Sequence, residues 1–124
     1  MKLNILFIIT GILGLFFGLL LVAVPGPFYA FYGGELADFG KNAAQLQGAA
    51  YLGYCLLLFF VVKAKDLKAR QAVVIGLLVH FIIGFVVSLK WQLAGVGNAW
   101  GWSTVAIFGL LSLGYLYFLI RGTE

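Results

Sequence analysis

The chain has 124 residues, enough for one domain, and 64% of them are hydrophobic against 10% charged, a composition that excludes an ordinary soluble globular domain. The charged residues are grouped so that four long stretches, residues 3–34, 42–62, 71–89 and 91–120, carry no charge at all. Each can cross a bilayer as a helix, which takes about 20 apolar residues, and the connections that remain are too short for a soluble catalytic or nucleic-acid-binding domain. The net charge of +4 is therefore read as a signal of membrane orientation rather than of a nucleic-acid partner.

In chain order, the first helix is predicted from about Ile5 to Val24, where Pro25-Gly26-Pro27 stops it by removing backbone donors and forcing the preceding residues out of the helical region. Its apolar run exceeds the usual 7 to about 15 residues of a secretory h-region, and no A-x-A cleavage site follows, so a retained span is expected. Phe28, Phe31, Tyr32, Leu36 and Phe39 then fall near helical spacing, which predicts a short segment lying in the interface. Gly33-Gly34 interrupts it. This segment serves as an anchor or as a lid over a cavity.

The second helix is predicted over about Ala43 to Val62, the third over Ala72 to Leu89 and the fourth over Trp102 to Ile120. Lys2, Lys63, Lys65, Lys68, Arg70 and Arg121 fall on one side of such a four-pass chain and only Lys41 and Lys90 on the other, so the positive-inside rule places both termini in the cytoplasm. The basic loop Lys63 to Arg70 reads as a topology signal, with binding of anionic lipid head groups as its alternative. Trp91, Trp100 and Trp102 gather at the opposite interface, where indole rings are favoured.

Small residues should mediate helix packing, since lipid supplies little hydrophobic drive for association. Gly11, Gly14 and Gly18 lie on one side of the first helix. Gly76, His80, Gly84 and Ser88 form a single row on the third, and Gly109, Ser112 and Gly114 are less aligned on the fourth. Such rows pack within one monomer, join protomers, or grip a larger subunit.

Among polar residues at depth, Gln47, Tyr51 and Tyr54 share one face of the second helix and should point inward, because unpaired amides and hydroxyls in hydrocarbon cost free energy. His80 and Tyr54 lie at matching depths, so a hydrogen bond between them is feasible, with Ser112 at a comparable level. Three roles follow for Gln47, Tyr51, Tyr54, His80 and Ser112. They are interhelical glue, which the absence of any intramembrane carboxylate favours, a pocket for an apolar or quinone-type ligand, or a proton relay.

The acidic residues Glu35, Asp38, Asp66 and Glu124 all lie outside the spans. Small multidrug exporters require a carboxylate in the first helix, and vitamin K epoxide reductase-like enzymes require cysteine pairs, whereas this chain has Cys55 alone, read as a small buried apolar residue. One histidine and one cysteine cannot supply a metal site, and no nucleophile, base and orienting acid assemble. No cofactor and no catalytic residue is expected.

The stretch Gly11 to Pro27, the aromatic loop after it, Asn42-Ala43-Ala44-Gln45-Leu46-Gln47-Gly48-Ala49-Ala50-Tyr51-Leu52-Gly53 and the basic loop Lys63 to Arg70 together resemble the small DoxX-like four-helix bacterial membrane proteins. Many members carry an arginine where this chain has Gln45 or Gln47. The resemblance implies an all-α, integral membrane four-helix bundle of the bacterial inner membrane and supplies no catalytic residues. The expected role is a non-enzymatic membrane protein, self-associating or an accessory subunit of a larger membrane complex, surrounded by membrane lipids. The alternative is a binder or carrier of a lipid or quinone in the bundle interior.

Overall fold

The computed structural model describes residues 2–122 and is all-α. Its elements are α1 (Leu3–Ala23), α2 (Pro25–Phe31), α3 (Asp38–Val61), α4 (Leu67–Leu93) and α5 (Gly101–Arg121). The four long helices are each apolar and long enough to cross a membrane, as in a multi-pass membrane protein. They correspond to the four predicted spans, whereas α2 covers only the first part of the predicted short segment, since Tyr32 and Leu36 lie in the turn and loop after it and Phe39 belongs to α3.

Local chemistry sets the boundaries. The α1 ladder ends with Val24 donating to the Leu20 carbonyl, and Pro25 opens α2 at a first-turn position where its missing N–H costs nothing. Tyr32 and Gly33 close α2, Gly33 adopting φ +81°, which a side chain would disfavour. Two helices begin ahead of the charge-free stretches that predicted them. α3 begins at Asp38, whose carboxylate in the first turn complements the helix dipole, and α4 begins at Leu67 behind Asp66, which accepts from the Lys68 amide at 3.0 Å. Charge ends a bilayer-crossing segment; it does not end a helix. The 27 residues of α4 span about 40 Å, beyond the about 30 Å of a hydrocarbon core.

The helices associate as two pairs, α1 with α3 and α4 with α5, and the seams between pairs are sparse. Glycines explain the first pair. A Cβ on Gly18 would lie 3.1 Å from the Gly48 carbonyl oxygen, one on Gly48 would lie 2.8 Å from that of Gly18, and one on Gly14 would lie 3.3 Å from that of Tyr51. Gly11 meets Leu58 on the same face. In the second pair Gly84 receives the Phe108 ring and Gly109 the Phe85 ring. Gly76 departs from expectation: nothing lies within 4 Å of its Cβ direction, so the row on α4 packs only in part, because the helix has turned that residue to the outside by this depth.

The main cluster of buried side chains lies toward one end, with Leu21, Ala44 and Val105 buried separately in the other half. Leu3, Phe7, Leu58, Val74, Tyr115 and Phe118 belong to the cluster, drawn from the start of α1 and α4 and the end of α3 and α5, the end that carries the basic loop. Two polar ties lie within it. Thr10 donates to the Leu6 carbonyl at 2.9 Å, which leaves the Tyr115 hydroxyl, 2.6 Å away, as donor to Thr10. Arg70, the last residue of the basic loop, is turned inward. It is 5% exposed, donates to the carbonyls of Val61 at 3.1 Å and Ala64 at 3.4 Å and to Asn4 Oδ1 at 2.7 Å, and lies over the Phe7 ring. Lys63, Lys65 and Lys68 are exposed. The guanidinium thus ties the start of α1, the end of α3 and the start of α4, a task its planar fork of donors suits.

Candidate functional site: a cavity between the helix pairs

Because the core closes only the basic end, the pairs enclose a cavity of about 310 Å³ in the opposite half. Phe81 and Leu111 lie at its floor, where Phe81 stacks on Tyr115 with ring planes 10° apart. Leu13, Gly14, Phe17 and Leu21 form the α1 wall, and Thr104, Ile107 and Phe108 the α5 wall. No Asp, Glu, Lys or Arg side chain lines it.

The far end is roofed. Phe28, Tyr29 and Tyr32 of α2 line the cavity, with Phe17 packed edge-on to Phe28. The loop between α4 and α5 meets them from the other pair. Asn98 donates from its side chain to the Phe31 carbonyl at 2.9 Å and from its backbone to the Tyr32 carbonyl at 2.9 Å. Gln92 in turn donates to the Asn98 carbonyl at 3.1 Å. Gly97 makes this clasp feasible, since a Cβ there would lie 2.7 Å from the Tyr32 carbonyl oxygen. The α2 segment is therefore a lid over a cavity, while Phe31 and Phe39 keep outward faces suited to anchoring. Burial and the neighbouring Tyr32 hold the Tyr29 phenol above its ordinary pKa, so it stays a neutral hydroxyl.

Four of the five polar residues singled out in the sequence converge here. Tyr54 and His80 Nε2 are 2.9 Å apart, a bond across the α3–α4 seam whose direction follows the tautomer. Gln47 donates to the Tyr51 hydroxyl at 2.8 Å, and the Tyr51 ring lies against those of Tyr54 and His80. Phe81 and Phe108 complete the aromatic surround of His80. Ser112 does not join them. Its hydroxyl donates to the Phe108 carbonyl at 2.7 Å, the usual outlet for a serine in an apolar helix, and it is not part of the cavity wall.

The hydroxyls of Tyr29, Tyr32 and Thr104 and the Nδ1 of His80 have no hydrogen-bond partner among the described residues, and none of these atoms is sealed from access. The site thus offers neutral donors and acceptors around an apolar chamber. Among the described residues no group of His, Cys, Asp and Glu is arranged to hold a metal ion. Cys55 is buried behind the α1–α3 contact.

Sequence reasoning missed Thr10, Tyr115, Asn98 and Thr104. Thr10 and Tyr115 carry the same signal that identified Tyr54, a polar group within an apolar span. For Asn98 no signal exists, because its partners are carbonyls of a loop about 65 residues away. Compared with protein-family models, curated proteins and solved structures, the chain matches none.

Proposed function

We propose that this chain is a non-enzymatic, multi-pass protein of the bacterial inner membrane that binds an apolar small molecule, a lipid or quinone, between its two helix pairs. The observation that carries the reading is the cavity itself: floored by the core, roofed by α2 and the Asn98 clasp, and lined without a charge. Concave, mostly apolar chambers of about 300 to 1,000 Å³ with a few converging polar groups are the usual form of a small-molecule site. The interhelical bond of Tyr54 and His80 serves as glue and as part of the wall at once.

The orientation proposed places Lys63, Lys65 and Lys68 in the cytoplasm with both termini, in keeping with the DoxX-like resemblance. The cavity then occupies the outer half of the membrane.

Organic extraction of protein purified in mild detergent, followed by mass spectrometry, tests the binding. An apolar molecule should co-purify with the wild type and be lost from Thr104→Phe, which fills the chamber. Equal recovery from both proteins refutes the reading.

A second reading, self-association or service as an accessory subunit, is favoured by one observation. Gly53 and Gly76 leave smooth, unoccupied surface on α3 and α4, suited to the close approach of another helix. Gly11, Gly14, Gly18 and Gly84 support it less, being engaged inside the monomer. Native mass spectrometry of wild type against Gly76→Leu distinguishes the two: loss of an oligomer or partner in the variant supports assembly, and a monomer in both counts against it.

A further inference from the structure

The cavity has two ends and four seams, and they are not equally closed. The core fills one end and the α2 clasp covers the other. The intra-pair contacts of α1 with α3 and of α4 with α5 are continuous and glycine-tight. Between α3 and α4 the backbones diverge, and the Tyr54–His80 bond closes the seam only at its own depth. Outward from that bond a cleft bounded by Gln47, Tyr51, Ile83, Val87 and Trp91 continues directly into the cavity, with which it shares Gln47, Tyr51, His80 and Trp91. Ile83 is 58% exposed and Val87 48%, both facing the surroundings of the helix rather than a partner within the chain. Neither belongs to the cavity wall. The mouth therefore opens sideways, along an apolar helix surface, and not toward water.

We propose that the cavity is loaded from the lipid through this α3–α4 mouth, and that its occupant is an uncharged, lipid-soluble molecule carrying a hydrogen-bonding oxygen that meets the polar cluster at Tyr51, Tyr54 and His80. The proposal rests on the ligand-binding reading above and adds to it a route and a chemical class. The class follows from the lining. An anion or cation would enter a chamber with no opposite charge to pair with, and an unpaired charge in an apolar medium costs far more than a neutral carbonyl or hydroxyl. A pure hydrocarbon would leave the free valences of His80 and Tyr54 and the hydroxyls of Tyr29 and Thr104 without partners. A ring or short chain with one or two oxygens satisfies both conditions. The volume agrees, since about 310 Å³ lies within the range of small-molecule sites and has room for a fused bicyclic ring.

The probe is 2-methyl-1,4-naphthoquinone, a neutral bicyclic dione that quenches indole fluorescence, with the negatively charged 1,4-naphthoquinone-2-sulfonate as its comparison. The protein is the full chain in phosphatidylcholine nanodiscs with Trp100→Phe and Trp102→Phe, so that Trp91, at the mouth, is the only indole. Stopped-flow quenching should be saturable for the neutral dione and absent for the sulfonate. Val87→Phe and Ile83→Phe narrow the mouth without touching the bound ligand, so association and dissociation should slow by the same factor while Kd stays constant. Val86→Phe, on the lipid-facing side of the same helix, should change nothing. Tyr54→Phe should weaken Kd about fivefold, the value of one neutral hydrogen bond.

Absence of saturable quenching by the neutral dione in the unmodified mouth overturns the ligand-binding reading itself. Saturable binding whose rates are indifferent to both Val87→Phe and Ile83→Phe overturns the route. Saturable binding of the sulfonate with similar Kd overturns the chemical class.

Discussion

Replacing Gly48 by alanine probes the contact that shapes one wall of the cavity. The new Cβ would stand 2.8 Å from the Gly18 carbonyl oxygen, 2.9 Å from Leu21 Cβ and 2.9 Å from Val22 Cγ2. The first of these is backbone and cannot swing aside, so α1 and α3 must part by about 0.6 Å to restore an ordinary contact, a gap that already forfeits a quarter to a half of each neighbouring dispersion well. Overpacking of this kind costs about 1 to 3 kcal/mol. The matched comparisons are Gly53→Ala and Gly76→Ala, on α3 and α4, whose Cβ directions meet nothing within 4 Å. Those two lose no contact and gain up to about 1 kcal/mol of helix propensity. Reversible unfolding in mixed micelles, titrated with a denaturing detergent and followed by near-ultraviolet dichroism, reads all three. Gly48→Ala should lower stability while its comparisons hold or raise it. Because Gln47 and Tyr51 flank Gly48, the same variant should also weaken binding in the cavity. If Gly48→Ala proves as stable as Gly53→Ala, the close approach of α1 and α3 is not what holds this pair together.

Three other outcomes are expected. Thr10→Val strands the buried Tyr115 hydroxyl and should cost about 1 to 3 kcal/mol, whereas Thr10→Val combined with Tyr115→Phe removes both partners and should recover much of that loss in the same unfolding assay. Arg70→Met deletes the tie between α1, α3 and α4 and should cost about 2 kcal/mol, with Arg70→Lys recovering only part because one ammonium cannot reproduce the fork; Lys68→Met, exposed, should be neutral. Tyr29 has a raised folded-state pKa, so folding binds its proton more tightly than the unfolded chain does. Its contribution is complete below pH 10 and declines as pH rises beyond it; the difference in phenolate absorbance between wild type and Tyr29→Phe should titrate above 10, and a midpoint at or below 10 contradicts the burial of that ring.

Number and type of long helices were legible from the chain because a bilayer-crossing segment is specified locally, by about 20 apolar residues and the turn chemistry at its ends. The Pro25 break, the interruption at Gly33-Gly34, and the shared face of Gln47, Tyr51 and Tyr54 are likewise local, and they appear where turn chemistry and helical spacing place them. Matching of depth across a hairpin was enough to foresee the Tyr54–His80 bond, since a helix rises by a constant amount per residue. Helix ends were legible less well: α3 and α4 continue through Asp38 and Leu67 because polar first turns cap helices as readily as they leave a membrane.

What only the tertiary structure decided is which faces meet. Gly76 and Gly84 stand eight residues apart in one row, yet one is open and the other holds the Phe108 ring, because eight residues of helix carry the row partly round the axis and only Gly84 faces that ring. The placing of a core cluster toward the basic end, the burial of Arg70 among carbonyls and the chamber beneath α2 are likewise properties of the assembled helices. Composition records how apolar each helix is, but apart from the polar face of α3 the sides of these helices differ little. With so weak an asymmetry, the direction each turns is set by small side chains fitting against particular neighbours, and that complementarity exists only once the neighbours are in place.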